Sequence, residues 1–335
     1  MSRNRIFAIV FVLLCVTLVV YKWPQKQKPI VPTVEEVVQP IEAVVCEPSE
    51  PTFVIEEPLV ELVPEQQTGI LSKSADQDLP TQVNRIAQLF NPYPPTLPIV
   101  ETVSYISRVP WLTGRAAYLG DWASHYETSK HFISRSLNGM NRYLEQKVSR
   151  GDRFNVFKKD KEIEFHLVID LSRLTLWLYY FDVAEECCVQ LKSYPVCAGK
   201  LTSQTRSGSL TPTGVYEVGR EIAVYKEGDK GLYKNHPVEM VTIFGVRWIP
   251  LTREVANCTG SCKGLGVHGV PWKREGPEGA LLESRECIGG YNSQGCIRLV
   301  TEDIEEIFSI IVSKPSYVHI VQDFQDVKLP GKRYL

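Results

Sequence analysis

Two short stretches hold residue types that can do covalent chemistry. Ser293-Gln294-Gly295-Cys296-Ile297-Arg298-Leu299 places a thiol between a glycine and a short apolar run, and Val267-His268-Gly269 supplies an imidazole. A cysteine on a glycine loop can be exposed to a substrate as a nucleophile. A histidine from elsewhere in the chain can take its proton, because such partners meet in space and not in sequence. The bland reading of the same residues is a small buried cysteine and an unrelated loop histidine. A third reading is a zinc site written from Cys258, Cys262, His268 and Cys287, although Cys-x-x-x-Cys followed by glycines is a loose pattern for it.

These stretches sit in a part of the chain built from short strands. Phe165–Asp170 and Leu174–Phe181 are rich in β-branched and aromatic residues and are joined by a Leu-Ser-Arg turn. Cys188–Cys197, Val215–Val218, Val241–Leu251 and Tyr317–Val321 read as further strands, the last closing the domain. Many short strands with glycine and proline turns predict a mainly β body. One helix follows the cysteine loop. Thr301 is its expected N-cap, Glu302 and Asp303 lie at the positive end of its dipole, and Ile304, Ile307, Phe308, Ile311 and Val312 form one face until Pro315 stops it.

The 335-residue chain has a formal net charge of −2 and no basic stripe with interleaved aromatics, so nothing points to a nucleic-acid partner. Residues 1–23 are expected to form an N-terminal signal anchor. Ile6–Tyr21 is apolar apart from Cys15 and Thr17, Tyr21 and Trp23 suit a membrane interface, and no small-residue cleavage site follows. Residues 24–100 carry recurrent prolines and glutamates, which predicts an extended tether, with a short helix at Asn84–Phe90. Residues 101–160 read as a small spacer domain with one helix around Leu119–Tyr126 and a second capped by Thr128 or Ser129. Asn138-Gly139 ends the second helix and a turn leads into a strand at Phe154–Phe157. The order helix, helix, Asn-Gly, then V-x-x-G-x-x-F-x-V resembles the later part of a LysM module, whose opening strand is not visible. Residues 324–335 are expected to be a C-terminal tail.

Nine cysteines fit an oxidising compartment only if some pair. Cys258–Cys262 and Cys262–Cys287 are the disulfides considered, and the sequence does not choose between pairings. His166, His236 and His319 read as ordinary core or surface residues.

Six pieces occur in order: V-I-D-L-S-x-x-x-L-x-L-Y from Val168, Y-P-V-x-A-G-K from Tyr194, T-P-T-G-x-Y from Thr211, F-G-V-R-W-I from Phe244, His268-Gly269, and S-x-G-C-I-R-L from Ser293. Over residues 163–323 this resembles the L,D-transpeptidase catalytic domain of the YkuD (ErfK/YbiS/YcfS/YnhG) type. The resemblance implies a β-sandwich-like fold with one or two helices, which in this chain is expected to follow the small α/β LysM-like region and the N-terminal transmembrane helix read above. It implies cysteine acyl transfer on peptidoglycan stem tetrapeptides, with release of D-alanine, a thioester, and a 3→3 cross-link. Water as acceptor would make the enzyme an L,D-carboxypeptidase, and a degenerate site would leave a wall-binding protein.

Carried over by position, Cys296 would be the nucleophile and His268 its base. The Gly269 carbonyl would fix the imidazole tautomer, and the Gly295 and Cys296 amides would form an oxyanion hole. Ser293 and Gln294 would shape the pocket, and Arg298 would bind a carboxylate or carbonyl or, preferably, brace the loop. No metal or organic cofactor is required. The expected location is the bacterial inner membrane, single-pass, with the catalytic domain on the periplasmic, cell-wall side. Two departures stand out: the family usually has histidine where this chain has Gln294, and the stretch Val270–Asn292 is longer than usual, so that it could be a lid or a partner surface.

Overall fold

Strand alternation decides the architecture. In β3 (Ile163–Asp170) Phe165, Leu167 and Ile169 enter one apolar cluster, while Val168 enters another on the opposite face. In β4 (Thr175–Asp182) Leu176, Leu178 and Tyr180 follow the first set, and Trp177, Tyr179 and Phe181 the second. A hairpin buried on both faces needs the near-continuous apolar run that the sequence shows.

The computed structural model describes residues 79–139, 147–276 and 279–334, all within one unit spanning Phe53–Leu335. The expected signal anchor at 1–23 lies outside the described residues. Among the described residues no helix is long and apolar enough to cross a membrane.

In chain order, α1 (Ile86–Phe90), β1 (Val100–Ser104), α2 (Leu119–His125), α3 (Lys130–Ser136) and β2 (Arg153–Phe157) precede the β3–β4 hairpin. Then come β5 (Cys187–Pro195), β6 (Ala198–Gly199), β7 (Gly214–Val218), β8 (Ala223–Val224), β9 (Lys230–Tyr233), β10 (His236–Glu239) and α4 (Val241–Phe244). The chain continues with β11 (Arg247–Ala256), β12 (Gly266–Gly269), β13 (Trp272–Arg274), β14 (Leu281–Glu283), β15 (Tyr291–Ser293) and β16 (Ile297–Leu299). It ends with α5 (Thr301–Ile311), β17 (Ser316–Val321) and β18 (Lys332–Tyr334). The main sheet runs β16-β12-β11-β7-β17-β3-β4-β5-β18. β12/β16, β17/β3 and β18/β5 are parallel, and the other neighbours in this path are antiparallel. The mainly β body is therefore as expected. Helix α5 lays Ile304, Ile307, Phe308 and Ile311 on the larger core.

The turn between β3 and β4 is held by a buried carboxylate. Asp170 accepts from the amides of Ser172 at 2.7 Å, Arg173 at 3.0 Å and Phe324 at 2.9 Å, and from the Ser172 hydroxyl at 2.8 Å. The Arg173 guanidinium closes on it at 2.7 Å and also meets Asp323 at 3.0 Å. A buried charge is tolerable when it is paired and hydrogen-bonded in this way.

Several expectations are corrected. The tether expected over 24–100 does not hold for 79–100: Ile86, Leu89, Phe90, Leu97 and Ile99 are buried in the main core, and Arg85 N donates to Leu191 O at 2.8 Å. Residues 101–160 share that core through Phe132 and Phe157, as well as having a cluster of their own around Trp122, Ile133 and Phe154. They are continuous with the catalytic body. Strand β1, which the sequence left undetected, pairs antiparallel with β2 and gives this region a strand–helix–helix–strand order.

The strand expected from Val241 begins as α4. Gly245, at φ +60°, then breaks the chain into β11, and a Cβ there would lie 2.6 Å from Val270 O. Tyr317–Val321 is central in the sheet and closes nothing, because β18 follows it. The tail at 324–335 buries Phe324 and Val327 and adds β18 beside β5. Thr301 is the first helical residue of α5 and not its cap. Its amide is taken by the Glu283 carboxylate, a partner eighteen positions away.

Burial also sets an acid limit on the fold. His131 and His319 are pushed down to about 4, and His166 and His268 to about 3, in each case first by loss of hydration. A folded-state value below the unfolded one near 6.5 gives stability that is complete above about pH 6.5 and lost as pH falls through the folded values. Urea midpoints should therefore fall steadily from about pH 7 to pH 4. Replacing His166 by Gln should flatten part of that slope, and an unchanged slope would refute its histidine origin.

Candidate active site

The two chemical stretches become neighbouring strands. β12 and β16 pair in parallel with Val267 opposite Ile297, His268 opposite Arg298 and Gly269 opposite Leu299. Val267, Ile297 and Leu299 enter the core. Period-two alternation leaves His268, Arg298 and the half-buried Cys296 for the other face. The structure thus brings the nucleophile candidate to the start of one strand and the base candidate to the middle of its neighbour.

His268 is only 2% exposed and sits under Phe244 and Trp248, whose ring centroids lie 5.4 and 5.7 Å away. Its Nδ1 is 2.7 Å from the Gly269 carbonyl. A carbonyl only accepts, so the neutral ring carries its proton on Nδ1 and presents Nε2 as a base. Burial, and after it the Arg298 charge, hold the imidazole at about 3, against the opposing pull of the Gly269 and Phe244 carbonyls. Cys296 Sγ lies 3.9 Å from Gly264 O. Burial pushes its thiol up, while the Gly266 amide and Arg298 pull it part of the way back. Both groups are neutral at pH 7, so the neighbouring strands carry a thiol and an imidazole and not a preformed ion pair.

The loop ahead of Cys296 is shaped by backbone contacts that sequence reading missed. The fully buried Ser293 hydroxyl accepts from Gly295 N at 3.0 Å and donates to Cys296 O at 2.6 Å. Thr211 Oγ1 donates to Gly295 O at 2.8 Å and accepts from Gly199 N at 2.7 Å. Gly295 stands at φ +122°, with Leu210 O 2.9 Å from where a Cβ would be. The one available signal was the threonine of T-P-T-G-x-Y, which counts in the sequence only as one of the six ordered pieces and carries no site role there. Gln294 is exposed. Arg298 interacts with the Cys197 thiol, which is in keeping with a bracing role. Ser293→Ala removes both loop bonds, so acylation of Cys296 should slow by roughly 10- to 100-fold through misplacement. The free energy of unfolding should drop by about 1–2 kcal/mol. A time course by intact mass beside a urea titration checks both, and unchanged acylation would refute the positioning role.

The long stretch after His268 is docked. β13 and β14 form a hairpin, Trp272 packs on the main core, and Arg285 makes a two-pronged pair with Glu302 at 2.8 and 2.6 Å. β15 then runs parallel to β6. The zinc reading loses its ligand set, because Cys287 packs against Cys197 and His268 lies under Phe244 and Trp248. Among the described residues no group of three His, Cys, Asp or Glu is placed to hold a metal. The Cys262–Cys287 disulfide is likewise not formed, and all seven described cysteines are free thiols. His166 and His319 are core residues, with His166 Nδ1 and His319 Nε2 2.9 Å apart, and His236 is exposed on β10.

Residues 164–320 match the family model of the YkuD L,D-transpeptidase catalytic domain. This segment is a YkuD domain. It places the chain's catalytic body with L,D-transpeptidase-type enzymes. No curated protein matches the chain. Among solved structures the chain is similar to the helical cell shape determining protein Pgp2 from Campylobacter jejuni, with 16% identity over 51% of each chain and a TM-score of 0.33. It is also similar to Bd1075 of Bdellovibrio bacteriovorus, with 18% identity over 48% of each chain and a TM-score of 0.32. The chain spans about half the length of these structures. The YkuD match begins one residue into β3 and ends one residue before the end of β17, so β18 and everything ahead of β3 are additions to it.

Proposed function

We propose that the YkuD domain is a peptidoglycan L,D-transpeptidase, carried by a membrane-anchored chain with this body on the cell-wall side. The observation that supports it most is the His268 Nδ1–Gly269 carbonyl bond, which leaves Nε2 as the base on the face it shares with Cys296. Cys296 Sγ attacks the carbonyl carbon between the third and fourth residues of a stem tetrapeptide while its proton passes to His268 Nε2. The resulting oxyanion is received by backbone donors. Gly295 N is already engaged by Ser293, which makes the Cys296 amide the leading donor. Collapse of the intermediate breaks the amide, and His268 returns the proton to the departing D-alanine amine. The amine of a second stem then attacks the thioester, gives its proton to His268, and releases the Cys296 thiolate to be reprotonated. Neutral partners suit this sequence, since the base must be unprotonated when attack begins.

The test uses the full chain with tetrapeptide muropeptides and product masses. Dimers linked 3→3 are expected from native protein and absent for Cys296→Ala. Tripeptide alone would assign water as the acceptor. No product and no carbapenem adduct on Cys296 would leave a wall-binding protein.

A further inference from the structure

A pair of cysteines lies alongside β16, the strand that follows Cys296. Cys197 is fully buried and Cys287 is 9% exposed, and together with Val270 they form a small separate apolar cluster. Cys197 is bridged to Arg298 by two backbone hydrogen bonds of 2.9 Å, two residues from Cys296. Cys287 comes from the docked insert, at the end of a short helical turn whose neighbours Arg285 and Glu286 are exposed. The backbones around the two cysteines are already laced together: Gly289 N donates to Val196 O at 3.0 Å and Ala198 N to Gly290 O at 3.1 Å. These contacts hold the two cysteine-bearing segments side by side, the arrangement in which a disulfide's short Cα separation is reached.

We propose that Cys197 and Cys287 form a disulfide that fastens the insert to the start of β6, alongside the strand that follows Cys296. The two cysteines pack in one cluster, where their mutual influence and the Arg298 charge favour the Cys197 thiolate while Cys287 keeps its proton; Cys197 Sγ lies 3.6 Å from Ala198 O. The co-reactant is a small or protein disulfide, RS–SR. One cysteine thiolate attacks it, forming a mixed disulfide and breaking RS–SR to release RS⁻. The second cysteine gives its proton to a thiolate base, and its sulfur attacks the protein sulfur of the mixed disulfide, expelling the second RS⁻. Two cysteine thiols and RS–SR thus become one protein disulfide and two RSH, with two electrons passing to the reagent. A bond closing a loop of about ninety residues restricts the unfolded chain strongly. It also ties the docked insert to the segment that Arg298 bridges.

The full chain is equilibrated in glutathione buffers from reducing to oxidising, free thiols are trapped with N-ethylmaleimide, and unreduced digests are mapped by mass. A peptide pair joined at Cys197 and Cys287 is expected on the oxidising side, disappearing on reduction. The apparent Tm should rise with it by on the order of 5–10 °C. Cys287→Ser should lose the link and the shift together. Cys296→Ala should keep both, which separates this pairing from the acyl-transfer reading. Maleimide on both cysteines at every ratio, glutathione held on Cys287 without a link, or a Cys262–Cys287 peptide would each overturn the assignment.

Discussion

His268→Ala should slow acylation of Cys296 by a carbapenem or a tetrapeptide by roughly 10²- to 10⁴-fold, the range a positioned general base supplies. The fold should survive, because the ring lies in a pocket whose walls are Phe244, Trp248 and the Gly269 backbone. The pH dependence carries more information than the loss itself. With the imidazole held at about 3 and the thiol raised above its ordinary value, native Cys296 should alkylate at a rate that climbs with pH through neutrality. It should level off only above about pH 9. A thiolate–imidazolium pair would instead give a plateau between about pH 5 and pH 8, and a plateau there would sink the neutral-pair mechanism. Iodoacetamide labelling followed by intact mass across that range reads the difference directly.

Asp170→Ala is the change expected to cost the fold most. It strips the acceptor from three backbone amides, one hydroxyl and the Arg173 guanidinium, all converging on a fully buried carboxylate. Arg173 keeps Asp323, so its charge is not abandoned altogether. Breaking a buried pair and orphaning its donors costs about 3–5 kcal/mol, a large share of the 5–15 kcal/mol that typically separates folded from unfolded chains. Equilibrium urea unfolding should show the midpoint falling accordingly, and a loss below about 1 kcal/mol would mean that water replaces the carboxylate. Asp170→Asn should recover only part, since the amide accepts without charge.

What could be read from the sequence was what is encoded locally. The β3–β4 hairpin announced itself through its β-branched and aromatic residues and the Leu-Ser-Arg turn. Helix α5 was plain from its apolar face at Ile304, Ile307, Phe308 and Ile311. Cys296 and His268 emerged from ordered pieces, and the pairing of β12 with β16 accounts for why pieces so far apart in the chain belong to one site. What escaped depends on distant partners. Glu283 caps α5 from a hairpin, so local cap chemistry pointed to Thr301 instead. Residues 79–100 look like tether by composition, yet six of their apolar side chains find the core. Ser293 and Thr211 hold the loop ahead of Cys296 through backbone atoms, which no residue pattern displays. Cys287 has Cys197 beside it only because β15 returns alongside β6.

The attachment of residues 79–100 has a mechanical meaning. Asn84 bridges Lys192 in antiparallel sense, Arg85 N meets Leu191 O at 2.8 Å, its guanidinium reaches Gln190 O at 2.6 Å, and the Gln190 amide returns to Thr81 O at 3.3 Å. A pull on the chain at residue 79 is therefore taken up along β5 by this clasp and by α1 before it reaches β1 or the spacer helices. The folded body carries its own strain relief, and a soluble fragment begun at residue 100 would lack it. Such a fragment would also bare the cavity left by Leu89, Phe90 and Ile99, so a working fragment has to start upstream of residue 79.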